Sequence, residues 1–489
     1  MITFSVALIC LLLGYMLYGA LVEKVFRPDS GRRMPCDVKE DDVDYMPLSA
    51  WRVYLIQFLN IAGTGPIFGA IMGILYGPAA YLWIVLGCIF AGAVHDYMCG
   101  MICVRQGGAS LPEIVGANLG QPMHYVVGVA SLILLVLVGA VFVITPASLL
   151  DKMTPDSGFL WGHVFWIIVI FLYYILATLL PIDKLIGRIY PLFGSALLIM
   201  ALGIGYCIYA KGGNLPELTD DPFVTHHPKG LPIFPMLCVT IACGAISGFH
   251  GTQCPLMSRC MTNEKYGRPI FYGAMITEGV VALIWAAAAV KFADSLPGEA
   301  GQTAYEKLAG LGNPALVVKE ISTSWLGVIG AILAILGVVA APITSGDTAF
   351  RSARLILADF IGISQKSFER RLMLCLPMFV IAAALMFMEF DVLWRYFAWT
   401  NQTMATVMLW TATVWLRNNR GALMACLALV PAMFMTVVCV SYIIVAPEGL
   451  RMSLETALVS GVSVALVLGA LYVLVESRKK HDIIIINKN

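Results

Sequence analysis

Asn60-Ile61-Ala62-Gly63-Thr64-Gly65-Pro66 interrupts a long apolar run, which extends from Trp51 to Tyr76. Glycine and proline weaken or remove helical hydrogen bonds, and inside lipid every freed backbone group must be satisfied within the protein. A second apolar run, from Leu231 to Pro255, is interrupted by Gly244-Ala245-Ile246-Ser247-Gly248-Phe249-His250-Gly251-Thr252. Two such breaks at corresponding positions of two chain halves are typical of membrane proteins that bind a solute near the midplane of the bilayer.

The composition predicts an integral membrane protein. Hydrophobic residues fill 60% of the 489 positions and charged residues 12%, where a soluble domain has about one quarter of its residues charged. The mean hydropathy is +0.85. The formal net charge of +1 argues against a nucleic-acid partner, and the lipid bilayer is the expected surrounding. The 13 cysteines form no CxxC pair, so we expect neither a disulfide framework nor a zinc site, and no cofactor.

The apolar runs predict about thirteen transmembrane helices, because a helix needs about 20 apolar residues to cross the hydrocarbon core. The predicted spans are 2–22, 51–76, 78–103, 123–149, 162–181, 188–210, 231–257, 269–293, 325–346, 372–389, 394–416, 421–446 and 453–476. The first is expected to be a retained helix rather than a signal peptide, since no basic residue precedes it.

The distribution of basic residues predicts the orientation. With the amino terminus outside and the carboxyl terminus in the cytoplasm, the 31 lysines and arginines lie on the cytoplasmic side except for Lys152, Lys211, Lys229, Lys291, Lys307, Lys319, Arg395 and Arg451. This bias follows the positive-inside rule.

Five predicted spans begin with each broken helix, one entering from the cytoplasm and the other from outside. Residues 51–210 and 231–416 are therefore interpreted as two inverted repeats of five helices, the all-α architecture of the leucine-transporter fold. Residues 1–50 would form a peripheral helix and a cytoplasmic linker. Residues 417–489 would form two further peripheral helices and a short tail.

Both breaks carry residues that can bind a small solute. In the first, Gly65 and Pro66 free backbone groups at the start of a half-helix, whose positive end favours an anion. The candidate substrate-binding residues are Asn60, Thr64, Gly65, Pro66, Ser247, Gly248, His250, Thr252 and Gln253. The alternatives are a proline kink healed by neighbouring helices, a histidine that only satisfies a carbonyl, and a glycine motif for helix packing.

Three ionisable residues lie within apolar spans, where charge is costly and is retained mainly for function. His95 and Asp96 are adjacent, and Glu278 stands alone in the eighth predicted span. We interpret them as candidates for proton coupling. Alternatively, His95 and Asp96 lie near the cytoplasmic end and are held by Arg105, and Glu278 is a neutral hydrogen-bonded acid.

A further group of oxygen-bearing side chains ends the ninth predicted span, in Ala341-Pro342-Ile343-Thr344-Ser345-Gly346-Asp347. Hard cations prefer oxygen ligands, so Thr344 and Ser345 could hold Na⁺ with carbonyl groups of the first break, and Asp347 could carry a proton. The alternative is an ordinary ion pair at the helix end, between Asp347 and Arg351 or Arg354.

Four of these segments resemble the signature sequences of the carbon starvation protein A family: the first break, Gly92-Ala93-Val94-His95-Asp96-Tyr97, Ser247-Gly248-Phe249-His250-Gly251-Thr252-Gln253, and Ala341 to Asp347. The resemblance covers most of the chain, from the second predicted span to the eleventh. It implies a bacterial inner-membrane transporter of the amino acid, polyamine and organocation superfamily, associated with peptide uptake during carbon starvation or with import of pyruvate and protons.

The sequence thus predicts a secondary active transporter, an uptake symporter for a small carboxylated nutrient such as a peptide or pyruvate, coupled to H⁺ or Na⁺. A channel and a nutrient sensor that binds without transport remain as alternatives. An enzyme is not expected, because the chain has no His-Glu-x-x-His or Gly-x-Ser-x-Gly motif. The substrate, the coupling ion and the oligomeric state are left open.

Overall fold

The computed structural model describes residues 1–39, 44–154, 162–179, 182–363 and 367–486, with backbone alone for 178–179, 182–189 and 476–486. The described residues form helices and connecting loops. The helices are α1 Ile2–Phe26, α2 Pro35–Val38, α3 Ala50–Ala62, α4 Gly65–Tyr76, α5 Ala79–Arg105, α6 Leu111–Leu119, α7 Gln121–Met153, α8 His163–Leu179, α9 Ile182–Ala210, α10 Ile233–Thr240, α11 Gly248–Ser258, α12 Glu264–Asp294, α13 Ala304–Gly310, α14 Pro314–Ile361, α15 Phe368–Leu385, α16 Phe390–Arg420, α17 Ala422–Val445 and α18 Leu454–Ile486.

Every predicted span overlaps one of these helices or a broken pair of them. Within the described residues, eight helices are long and apolar enough to cross a membrane, or nine when α3 and α4 count as one bent span. The number of thirteen crossings stays a prediction. The predicted cytoplasmic residues Lys366 and Lys488, and the end of the predicted tail at 487–489, lie outside the described residues.

The first break is confirmed and is short. α3 ends at Ala62, and the chain passes through Gly63 and Thr64 before α4 begins at Gly65. Gly63 has a positive φ of 36°, a conformation that residues with a side chain rarely adopt. The axes of α3 and α4 differ by 51°. The bend exposes the last carbonyl groups of α3 and the first amides of α4 at one level of the bundle.

The second break lies earlier in the chain than predicted. α10 ends at Thr240 and α11 begins at Gly248, so the non-helical segment is 241–247. The expectation that residues as far as Thr252 are unwound is therefore wrong. Gly248, His250, Thr252 and Gln253 lie in α11, whose backbone remains helical beyond Gly251 and past Pro255.

The ninth predicted span, 325–346, is also too short. α14 reverses direction at Gly327, where φ is 59° and ψ is −142°, and the helix then continues without a further break to Ile361. Asp347 was expected where this helix reaches the cytoplasm. It lies instead in the interior of the helix, roughly 20 Å along the axis before Ile361.

The broken helices lie at the centre of the bundle and the terminal helices at its edge. In α5 and in α12, 83% of the most apolar 18-residue window is buried within the protein, against 28% for α1 and 11% for α18. Apolar side chains left exposed on such helices match a surrounding lipid phase. α1 and α18 are thus the least buried of these helices, and the peripheral positions of α1, α17 and α18 stay a prediction.

Candidate substrate and ion-binding site

The two breaks touch each other at Gly65. A Cβ atom at Gly65 would lie 2.2 Å from Cβ of Cys243 and 2.5 Å from its Sγ, so only glycine fits against the second break. The aromatic rings of Phe142, Phe249 and Phe397 pack beside this contact, with ring centroids 5.9 and 6.2 Å apart. The crossing point of the broken helices is thus a tightly packed and fully buried region.

The first break presents polar groups that the protein leaves unpaired. Asn60 and Thr64 are 0% and 1% exposed. Among the described residues, neither the amide oxygen and nitrogen of Asn60 nor the hydroxyl of Thr64 has a hydrogen-bond partner. Buried polar groups without a partner cost about 1–3 kcal/mol each, and such groups gather where a ligand supplies the missing bonds.

The second break is already capped by a residue that the sequence patterns did not single out. The side-chain oxygen of Asn401 accepts hydrogen bonds from the amide of Phe249 at 2.7 Å and from the hydroxyl of Ser247 at 3.1 Å. It thereby satisfies the amino-terminal end of α11. The polar run Thr400-Asn401-Gln402-Thr403 inside an apolar span was the available signal.

Four predicted residues form a buried chain of ionisable side chains. Nδ1 of His95 lies 2.8 Å from Oδ1 of Asp96, and Nδ1 of His250 lies 2.9 Å from Oδ2 of the same carboxylate. Nε2 of His250 is 3.4 Å from Oε2 of Glu278, an ion-pair distance. All four side chains are 0% exposed. The chain of contacts joins α5, α11 and α12.

These contacts allow one proton to be shared between His250 and Glu278. A carboxylate only accepts, so both imidazoles direct an N–H group from Nδ1 toward Asp96. Nε2 of His250 and Glu278 then face each other either as neutral imidazole and carboxylic acid or as imidazolium and carboxylate. Both arrangements contain one proton between them, and its loss leaves two buried negative charges, which is costly.

These contacts correct two expectations. His250 lies with Asp96 and Glu278 rather than between the breaks. Arg105 does not hold Asp96, because its guanidinium pairs with Glu264 at 3.2 Å. In the described part of the chain, no group of three or more His, Cys, Asp or Glu side chains is placed to hold a metal ion. The four residues therefore form a chain of pairwise contacts rather than a coordination sphere.

Ser345 lies against α3, the first half of the first broken helix, and Thr344 precedes it on α14. The hydroxyl of Ser345 donates to the carbonyl of Leu59 at 3.0 Å, and that of Thr344 donates to Ala341 within α14. Both side chains are buried. Hydroxyl and carbonyl oxygens thus lie together near the carboxyl-terminal end of α3.

Asp347 belongs to a separate contact. Its Oδ2 accepts from the hydroxyl of Tyr190 at 2.9 Å, and it is fully buried. The alternative of an ion pair with Arg351 or Arg354 is wrong, since within the described ranges no nitrogen of either arginine lies within 4.0 Å of this carboxylate. Tyr190 gave no signal in the sequence, because the contact joins positions 157 residues apart.

Thr252 and Gln253 are buried but do not point into the break. The hydroxyl of Thr252 donates to the carbonyl of Phe249 at 2.6 Å and accepts from the amide of Gln253 at 3.0 Å. The carbonyl of Thr252 accepts from Ser352 of α14 at 3.3 Å. The contacts of these two residues therefore lie within α11 or join α11 to α14.

A cavity of about 530 Å³ opens above the breaks on the face predicted to be extracellular. Its lining includes Phe68 of α4, Thr240 of α10 and Trp394 of α16, together with the loop residues His227 and Lys229. This volume is in the range of small-molecule sites. The cavity leads to the level at which α4 begins and α10 ends.

Solved structures share this architecture. The chain matches the structure of MhsT in complex with L-phenylalanine with a TM-score of 0.55, at 14% identity, over 79% of this chain and 99% of that one. It matches a manganese transporter of Eremococcus coleocola with a TM-score of 0.56, at 13% identity, over 90% and 99%. The chain has the leucine-transporter fold, with two broken helices that meet inside the bundle.

The model of the family Carbon starvation protein CstA matches residues 1–162 and 143–300. A membrane protein of Haemophilus influenzae is 46% identical over 60% of this chain and 91% of its own length. The peptide transporter CstA of Bacillus subtilis is 26% identical over 89% of each chain, and the pyruvate/proton symporter BtsT of Escherichia coli is 29% identical over 56% of this chain and 46% of its own. The chain belongs to the carbon starvation protein CstA family.

Proposed function

We propose that the protein is a proton-coupled symporter that takes up a small carboxylated nutrient, such as a short peptide or pyruvate, during carbon starvation. The observation that carries the coupling is the buried chain of His95, Asp96, His250 and Glu278, which holds one proton and includes the second broken helix. The names of the relatives from Bacillus subtilis and Escherichia coli agree with a peptide or pyruvate substrate and with a proton.

The substrate is assigned to the first break. Its carboxylate would meet the amide of Gly65 and the start of α4, and its polar groups would pair with Asn60 and Thr64, whose side chains are buried and unpaired among the described residues. The cavity above the breaks is the entry path from outside. Ser247 and Gly248 stay against Asn401 in the second break and make no bond to the substrate, and His250 acts through the proton instead of through direct contact.

The coupling follows from the position of His250. Protonation of the His250–Glu278 pair removes a buried negative charge and favours the packing of α11 against α5 and α12. Loss of the proton to the cytoplasm reverses this preference, and α11 can then move away from the first break. Alternating access is the rocking of the broken helices between the two states.

Sodium coupling is the second candidate, and the contact between Ser345 and the carbonyl of Leu59 favours it. A Na⁺ ion would bind between the two oxygens of this contact, with the hydroxyl hydrogen of Ser345 turned away, and would take the oxygens of Thr344 and Ser345 together with carbonyl groups at the end of α3. Asp347 would stay bonded to Tyr190.

We also propose that the amino terminus lies outside the cell and the carboxyl terminus in the cytoplasm.

The test is uptake by purified protein in liposomes. Radiolabelled pyruvate and a radiolabelled dipeptide are offered separately, each with a pH gradient alone and with a sodium gradient alone. We expect the pH gradient to drive accumulation of one of the two solutes and a proton ionophore to abolish it. Accumulation with the sodium gradient alone would show coupling to sodium instead of protons. No accumulation with either gradient would reject the proposal that the protein is a symporter for these solutes.

A further inference from the structure

Three arginine side chains gather where α14 and α15 pack together, toward the face predicted to be cytoplasmic. Arg351 and Arg354 are three residues apart on α14, and each is 2% exposed. Arg371 stands four residues before Cys375 on α15, so the two share a face of that helix. The buried thiol of Cys375 lies within electrostatic range of all three guanidinium groups. The three arginines therefore all lie near the thiol of Cys375, where α14 and α15 pack together.

Several donors in this cluster have nothing to bind within the described residues. Nη2 of Arg351 donates to the carbonyl of Ala177 at 3.0 Å. Nε and Nη1 of Arg351, and Nε of Arg354 and of Arg371, are buried and have no hydrogen-bond partner in the part of the chain that the structure describes. An unpaired buried charge is strongly destabilising, so these donors require an acceptor.

Few acids of the described residues lie near the cluster. Asp347 exerts an attractive field on Arg351, and Asp44 exerts one on Arg354. No ion pair within 4.0 Å involves Arg351, Arg354 or Arg371 in the described ranges. Within the part of the chain that the structure describes, two carboxylates therefore face three guanidinium groups. Guanidinium groups bind the oxygens of carboxylates and phosphates in a two-pronged geometry.

We propose that Arg351, Arg354 and Arg371 form an oxyanion-binding site that is separate from the site between the breaks. Its ligand is a carboxylate or phosphate group, supplied either by a soluble anion or by the headgroup of an anionic phospholipid. Arg371 lies in the first turn of α15, and the exposed apolar side chains of Met373 and Leu376 follow it. Basic pockets of this kind between helices, at the cytoplasmic level of the membrane, bind anionic headgroups.

The experiment measures the thermal unfolding midpoint of the full chain in phosphatidylcholine nanodiscs. One arm adds increasing fractions of phosphatidylglycerol. The other adds inorganic phosphate at constant ionic strength, balanced with chloride. We expect the midpoint to rise in one arm, and the apparent affinity for that anion to fall about tenfold in Arg354→Gln and in Arg371→Gln, as the loss of one charge-assisted hydrogen bond predicts.

Arg370→Gln is the matched control, because it removes the same charge from the neighbouring position, where the side chain is exposed. It should leave the affinity unchanged. A rise with phosphatidylglycerol alone identifies a lipid headgroup, and a rise with phosphate alone identifies a soluble anion. The proposal is rejected if neither anion raises the midpoint, or if Arg371→Gln behaves like Arg370→Gln. Arg371 is only partly buried, so its variant carries the test should the Arg354 variant not fold.

Discussion

The two breaks differ in how the polar groups that they expose are hydrogen-bonded. The first break is two residues long, and its side chains Asn60 and Thr64 are left without partners among the described residues. The second spans seven residues, 241–247, and Asn401 caps the helix that follows it. The first break is therefore suited to a ligand that supplies hydrogen bonds, whereas the second is hydrogen-bonded within the protein. In the proposed function, this difference separates substrate binding from coupling.

The largest expected effect comes from removing the proton. Glu278→Gln keeps the shape of the side chain but cannot be deprotonated. We expect accumulation driven by a pH gradient to fall to the level of protein-free liposomes, while exchange of labelled for unlabelled substrate continues, because the first break is unchanged. Both are measured in the same liposome preparation.

Asp220→Asn serves as the control, since it neutralises an exposed loop carboxylate. Normal accumulation by Glu278→Gln would show that the coupling proton is carried elsewhere.

The contact between the breaks is tested by Gly65→Ala. The added methyl group would overlap Cys243, whose Cβ lies 2.2 Å from its position, and overpacking of this kind costs about 1–3 kcal/mol. We expect a lower unfolding midpoint and a large loss of uptake, with partial recovery in the double variant Gly65→Ala, Cys243→Gly. Gly310→Ala is the matched control, because no atom lies within 4 Å of its added methyl group. Equal behaviour of the two alanine variants would contradict the close crossing.

The unpaired groups of the first break predict an effect on affinity alone. Asn60→Ala removes hydrogen bonds that form only with the substrate, so the apparent affinity should fall about tenfold, the equivalent of one hydrogen bond to a charged group. The unfolding midpoint without substrate should stay the same or rise. Concentration-dependent uptake and thermal unfolding measure the two quantities. A loss of stability with unchanged affinity would show that Asn60 stabilises the fold and does not bind the substrate.

The smallest effect is expected at the second break. Ser247→Ala removes the hydroxyl that donates to Asn401, a bond worth about 1 kcal/mol, while the amide of Phe249 still donates there. The unfolding midpoint should fall slightly and the apparent affinity should not change, the reverse of the result for Asn60→Ala. If Ser247→Ala changed the affinity and not the stability, the proposal that only the first break binds the substrate would be contradicted.

The order of the helices and the existence of both breaks were predictable from the sequence, because Gly63, Gly65 and Pro66 interrupt a run that is otherwise apolar and helix-forming. The extent of the second break was not. Gly251 was interpreted as a sign of unwinding, but a Cβ atom there would lie 3.5 Å from the ring of His95. A methyl group there would make an ordinary van der Waals contact, and the backbone is helical, so Gly251 does not mark the break. One sequence does not show which of several glycines ends a helix.

The candidate site was predictable as a list of residues but not as an arrangement. His95, Asp96, His250 and Glu278 were each expected to be functional because ionisable groups inside a membrane are costly. Their convergence depends on contacts across 154 positions of the chain, which a single sequence does not record. Asn401 was missed because an amide carries no charge, although it stands in a polar run.

The cap on the second break also has a mechanical meaning. One side-chain oxygen of Asn401 is shared by two donors of the break, so α11 cannot tilt independently of α16 without breaking both bonds together. In the proposed mechanism, α11 and α16 would therefore tilt together. Trp394 of α16 also lines the cavity above the breaks, so the same two bonds would connect a movement of α11 to the width of that cavity.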